Sequence, residues 1–121
     1  MNGRMSQMAP SENSQEYTAT GVLRVVSVPD AFLFFINAER YTGEFATSLT
    51  DLLKKTDRVP LESVEFHFQR SDFEKWVGRT LGDEGLANKL HQIDRLTRGE
   101  ELRVAIKETI RKRLEEFGQA V

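Results

Sequence analysis

The sequence predicts an α+β fold, mostly helical, with four to five short helices packed on a small antiparallel β-hairpin or three-stranded element near the N-terminus. Three observations carry that expectation. Val and aromatic residues concentrate between positions 21 and 47, where alternation and a central glycine suit strands. From Leu49 onward, apolar residues recur every three or four positions, the period of a helix with one buried face. Ser, Thr and Asp stand before these stretches and Gly after several of them, as helix starts and stops require.

The segment "GVLRVVSVP" (21–29) is Val-rich and stops at Pro29, which suits an edge strand because proline cannot donate to a ladder. "AFLFFIN" is apolar almost throughout, so it predicts a strand covered on both faces, or else a short buried helix. The stretch "AERYTGE" carries Gly43, and residues 31–37 and 41–47 are expected to form a hairpin. Ser48, with Asp51 three residues on, then resembles a capping box for a helix over 48–56. Lys54 and Lys55 lie at its C-terminal end, where the helix dipole favours cations.

Residues 61–69, "LESVEFHFQ", are ambiguous. Val64, Phe66 and Phe68 alternate as in a strand, whereas Leu61, Val64 and Phe68 fit a helical stripe preceded by Pro60. The helix is preferred and the strand stays open. Ser71-Asp72-Phe73-Glu74 has the form of an S-x-x-E capping box, which predicts a helix from Asp72 with Phe73, Trp76, Val77 and Leu81 on one face and Gly82 at its end. Asp83 is expected to cap the next helix, on which Leu86, Leu90, Ile93 and Leu96 share a stripe. Thr97 with Glu100 makes a further capping box. Leu102, Ile106, Ile110, Leu114 and Phe117 then define the last helix, closed by Gly118. No internal repeat is visible.

Length and composition bound the function. At 121 residues the chain supports one core, taken as a globular domain over 18–118 with a disordered leader over 1–17 and a tail over 119–121. Hydrophobic residues make up 39% and charged residues 30%, with a formal net charge of −2, so no bulk attraction to nucleic acid or anionic membrane is expected. The absence of Cys removes disulfides, thiolate nucleophiles and zinc–thiolate sites, and suits a reducing, cytoplasmic setting. No apolar run approaches the roughly 18 residues that span a bilayer, and the first residues lack the apolar stretch of a secretory signal.

Candidate sites are few. His67, flanked by Phe66 and Phe68, could be a base or ligand in an apolar pocket with Asp72 and Trp76, or a partly buried imidazole donating to a backbone carbonyl or to a carboxylate. The latter is favoured, because no second His or Cys lies near it in sequence. Ser71 beside Asp72 is superficially suggestive of catalysis, but the capping role already accounts for it. The aromatic group Phe66, Phe68, Phe73 and Trp76 could line a ligand pocket, and in a domain this small it more often forms the core. His91 is expected on the surface. No metal-ligand spacing occurs, and the acids of "GDEG" (82–85) fit helix ends better than a calcium loop. No phosphate-cradle or nucleophile-elbow motif is present, so no cofactor is expected. Arg103, Lys107 and Arg111 share a helical face and could contact nucleic acid, but interspersed Glu residues favour a solvated, paired surface.

One resemblance adds to this. Ser48-Leu49, Glu62-Ser63 with His67, Asp72-Phe73 with Trp76, and Leu81-Gly82-Asp83 with Leu86-Ala87 resemble the pattern of an uncharacterised family of roughly 120-residue domains found in archaea and some bacteria. The resemblance spans about residues 31 to 118, and the D-F-x-x-W…L-G-D-x-x-L-A block is its most specific part. It implies a fold and a cytoplasmic setting and brings no catalytic residue. The segment "GVLRVVSV" and Gly85 depart from the pattern. The function expected is that of a non-enzymatic protein-binding or regulatory module, self-associating or with a protein partner. The alternatives are a small-molecule or enzymatic site near His67, and nucleic-acid binding along the last helix.

Overall fold

A computed structural model describes residues 19–119; the expected leader over 1–17 lies outside them. Strands β1 (Phe32–Asn37) and β2 (Arg40–Ala46) form a two-stranded antiparallel hairpin in which Phe32 faces Ala46 and Phe35 faces Tyr41. Helices α1 (Leu49–Arg58), α2 (Leu61–Gln69), α3 (Asp72–Lys75), α4 (Glu84–His91) and α5 (Gly99–Glu116) follow. A π-turn over Trp76–Thr80 extends α3. The fold is therefore α+β and mostly helical. The hairpin packs on α2 and α1, while α5 runs along α1, α2 and α4.

Of the two expected alternatives, the described residues form the hairpin without a third strand. Residues 19–22 form a helical turn, and Val28–Asp30 a single 3-10 turn with Pro29 in its first positions. One ladder-like bond survives, from the Val26 N–H to the Thr47 carbonyl at 2.7 Å. Val22 is buried and Leu23 and Val26 pack against the core, while Val25 and Val28 are exposed, so the segment buries part of its apolar surface without forming a strand. "AFLFFI" also differs from expectation. Phe32 and Phe34 enter the core, but Leu33 is exposed and Phe35 only partly buried, so the hairpin is covered on one face. Strand alternation gives the two sides.

Residues 61–69 are helical, which resolves the ambiguity in favour of Pro60 and the Val64–Phe68 stripe. The N-caps of α1 and α4 form as the sequence requires: Ser48 Oγ accepts from the Asp51 amide at 3.0 Å, and Asp83 Oδ1 from the Leu86 amide at 3.0 Å. Asp51 reaches back to the Thr47 amide, one residue earlier than in the usual box.

The other two boxes do not form. Ser71 has φ +61° and ψ +30°, a left-handed conformation that ends α2 and precludes the extended geometry of an N-cap. Its hydroxyl meets the Arg95 guanidinium at 3.3 Å, and Glu74 turns inward to Arg95 and His91 instead of to the Ser71 amide. At the start of α5 the acceptor comes from a different helix: Glu65 Oε2 takes the Gly99 amide at 2.8 Å, and Glu100 pairs with Arg103. Leu96, expected on the α4 stripe, is 81% exposed because the helix has already ended at His91.

The α5 stripe is buried as its period implies: Leu102, Ile106, Ile110 and Leu114 have no exposed surface. Each such side chain contributes about 1.5–3 kcal/mol. One ion pair locks α4 onto it. Asp83 is 1% exposed and accepts from Arg113 Nε and Nη2, both at 2.8 Å. Gly85 makes room for this pair, since an added Cβ would stand 3.2 Å from Arg113 Nη2. That gives the departure at Gly85 a physical reason.

Arg113→Ala is expected to cost about 2–3 kcal/mol, because it leaves the buried Asp83 carboxylate without its cation. Urea denaturation measures this, and a loss under about 0.5 kcal/mol would contradict the role given to the pair. At Ser71, Val is expected to destabilise by about 1–2 kcal/mol and Gly to be tolerated, since only the former resists the left-handed region. The opposite order would contradict the backbone assignment.

Candidate functional site

Phe32 is the hub of an aromatic cluster where the hairpin meets α2 and α3. Its ring centroid lies 4.8 Å from His67, 5.1 Å from Phe73 in a stacked pair, and 5.9 Å from Trp76. Edge-to-face and stacked rings at such separations add modestly to the burial they bring. The Trp76 indole donates to the Asp30 carbonyl at 2.8 Å, tying the 3-10 turn to the π-turn.

His67 is 4% exposed and both ring nitrogens are engaged. The Phe35 N–H, on the β1 edge away from β2, points at Nε2 at 2.8 Å. A backbone amide can only donate, so Nε2 carries the lone pair and the proton sits on Nδ1. Nδ1–H then donates to Asp72 Oδ2 at 2.8 Å, which also accepts from Arg70 Nε at 3.0 Å. Burial lowers the His67 pKa, and the Asp72 carboxylate opposes that shift only in part. The ring is held neutral, and protonating Nε2 would set N–H against N–H.

Beside this ring lies an open hollow of about 540 Å³ between the hairpin, α2 and the α3–π-turn segment. Phe35, Phe66 and Trp76 supply its apolar walls, and Arg70, Lys75 and Arg79 its rim. Two irregular backbone features position these groups. The left-handed Ser71 starts α3, which bears Asp72 and Lys75, and the π-turn carries Trp76 and Arg79. π-Turns recur at functional sites, where the inserted residue re-aims its neighbours.

Of the expected site residues, His67, Asp72 and Trp76 border the hollow together. Phe68 does not. It is 1% exposed on the other side of α2, under the Arg95 guanidinium, 3.9 Å from the ring centroid. The Ser71 hydroxyl faces Arg95, so Ser71, His67 and Asp72 do not assemble a nucleophile with its base. His91 is exposed and meets Glu74 at 3.4 Å. Among the described residues, no group of three His, Cys, Asp or Glu could hold a metal ion.

The basic face of α5 is neutralised. Arg103 donates to the Thr56 and Val59 carbonyls, both at 2.8 Å, as well as to Glu100. Lys107 pairs with Asp57, whose carboxyl it holds below the usual carboxylate range. Arg111 pairs with Glu108. Sequence reasoning missed Phe35, Arg70, Lys75 and Arg79. The alternation in "FLFF" could have exposed the first, and the cations at 70, 75 and 79 skirt the Asp72–Trp76 segment in a way only the π-turn makes coherent.

A family model described as "Family of unknown function (DUF5752)" matches residues 29–120. No curated protein and no solved structure matches the chain.

The pKa shift of His67 has a measurable consequence. The unfolded imidazole takes up its proton near the ordinary value of about 6.5, while the folded ring resists protonation to lower pH. Below that value the unfolded state binds more protons, so the contribution is complete above about pH 6.5 and is lost as pH falls through the folded value. The urea midpoint is therefore expected to be lower at about pH 5.5 than at about pH 7.5. His67→Gln should remove most of that difference and, by unpairing the Phe35 amide, cost about 1–3 kcal/mol. A difference unchanged in the variant would contradict the assignment.

Proposed function

Since the chain belongs to the family of unknown function DUF5752, it inherits no activity from its relatives, and we propose from its own geometry that it is a non-enzymatic module acting through protein contacts. The docking face is the aromatic hollow and the uncovered face of the hairpin. The observation that carries this reading is the unsatisfied apolar surface there. Leu33 is 42% exposed and Tyr41 44% exposed, and Tyr41 packs on Phe35 at 5.3 Å beside the hollow. Exposed apolar groups that adjoin one another mark interaction surfaces more often than isolated ones do. The engagement of both His67 nitrogens supports the non-enzymatic part, because the imidazole has no lone pair to lend to a substrate.

No helix among the described residues is long and apolar enough to cross a membrane; the cytoplasmic setting suggested by the lack of Cys belongs to this same reading. Nucleic-acid binding loses support, because the cations that motivated it are paired with carboxylates or carbonyls. A small-molecule site is the second reading. The hollow's volume lies within the roughly 300–1,000 Å³ of ordinary ligand sites. It would be favoured if small organic anions raised the melting temperature as strongly as any protein partner.

Leu33→Glu with Tyr41→Glu tests the protein-contact reading. Both positions are exposed, so stability should change by less than about 0.5 kcal/mol each. Affinity capture with mass spectrometry should recover a stoichiometric partner, this chain or another, with the parent protein and lose it with the variant. Light scattering at micromolar concentration identifies self-association. A parent protein that is strictly monomeric and captures nothing the variant loses would contradict the proposal.

A further inference from the structure

Resting on that reading of the hollow as a docking face, we propose the chemistry of its occupant: an acidic peptide segment of a partner protein, with an aromatic or branched aliphatic side chain seated between Phe35, Phe66 and Trp76 and flanking carboxylates on Arg70, Lys75 and Arg79.

The rim is cationic on a chain that is anionic. Arg70, Lys75 and Arg79 are exposed and border the same hollow, and Asp72 is the one carboxylate residue on its lining. Three cations less one anion leave +2 at the rim, against −2 for the whole chain. The contrast with α5 is direct. There Arg103, Lys107 and Arg111 each have a carboxylate partner, whereas no carboxylate among the described residues lies within ion-pair distance of Lys75 or Arg79. Asp72 is already committed to Nδ1–H of His67 and to Arg70 Nε, which fixes Arg70 in place over the Phe66 ring at 5.0 Å. Asp30 sits in the adjoining hollow with Arg24 and Arg79, and its carboxylate is directed to Ser27.

The floor decides what kind of anion fits. Aromatic walls reward an apolar group and give nothing to a bare phosphate or sulfate. A nucleic-acid strand would need a cationic track along its backbone, and the helical row of cations on α5 is paired with carboxylates. The hollow is open and continues onto Leu33 and Tyr41, so a segment of chain passing across it buries more apolar surface than a compact small molecule would. A short acidic segment with one apolar anchor satisfies all three conditions. Complementary charge of this kind speeds encounter and selects partners more than it adds affinity, and salt screens it.

A displayed library of random peptides selected on the full chain tests this. Trp76, the one Trp of the chain, stands in the wall and reports occupancy by its fluorescence. Selected peptides are expected to carry Phe, Leu, Ile or Trp beside Asp or Glu, to shift Trp76 emission, and to bind about tenfold more weakly when salt rises from about 0.05 to about 0.5 M. Lys75→Glu with Arg79→Glu, which should fold with an unchanged circular dichroism spectrum, should weaken them at least tenfold and select basic peptides instead. If the selected peptides are neutral or basic and the variant binds them equally, the acidic assignment is wrong while the hollow remains a docking face. If an oligonucleotide displaces them at stoichiometric concentration, the occupant is a nucleic acid and the inference is overturned. If no selected peptide moves Trp76 emission, the inference and the docking reading fall together.

Discussion

A buried imidazole joins three pieces of chain that have no other polar connection of comparable depth. The Phe35 amide, on the outer edge of β1, needs an acceptor because the neighbouring surface is helix and not strand. His67 Nε2 supplies it from α2, and Nδ1–H passes the connection to Asp72 at the start of α3. An unpaired buried amide costs about 1–3 kcal/mol, so the ring does for this edge what a third strand would otherwise do. The same bonds consume both nitrogens. Scaffold and chemistry therefore compete for one side chain, and scaffold wins.

Around that ring the backbone departs from regularity twice, at left-handed Ser71 and in the π-turn over 76–80. Together they aim Asp72 at His67 while sending Trp76, Lys75 and Arg79 to the border of one hollow. Conformations of this kind cost of order 1–3 kcal/mol and persist where surrounding structure holds them. Here the holders are visible: Arg95 grips the Ser71 hydroxyl, and the Trp76 indole is fixed by Asp30. The aromatic cluster is thus both core and wall, with Phe32 and Phe73 inside and Phe35 and Phe66 on the margin.

Much of this was legible in the sequence, and the failures share a cause. The α5 stripe, the hairpin, the caps at Ser48 and Asp83 and the positive-φ glycines at 82 and 118 depend on neighbours within a few residues, and such signals survive in one dimension. The boxes at Ser71 and Thr97 were overridden by partners 24 and 34 residues away, Arg95 on Ser71 and Glu65 on Gly99. The 21–29 segment has strand composition, but the hairpin gave it one bond at Val26 and no ladder. His67 was expected to donate to a carbonyl or a carboxylate and the structure selects Asp72, whereas its bond to Phe35 and the clustering of cations at the hollow needed the tertiary fold.

The most direct measurement is the protonation state of His67 in solution, read from imidazole nitrogen shifts by long-range proton–nitrogen NMR. The expected result is a neutral ring at about pH 7.5, with its hydrogen on Nδ1 and a bare Nε2, taking up a second proton only below the ordinary imidazole value of about 6.5. A ring carrying hydrogen on Nε2, or titrating at or above that ordinary value, would show that the imidazole is not committed to the Phe35 amide and would return it to the pool of chemically available groups.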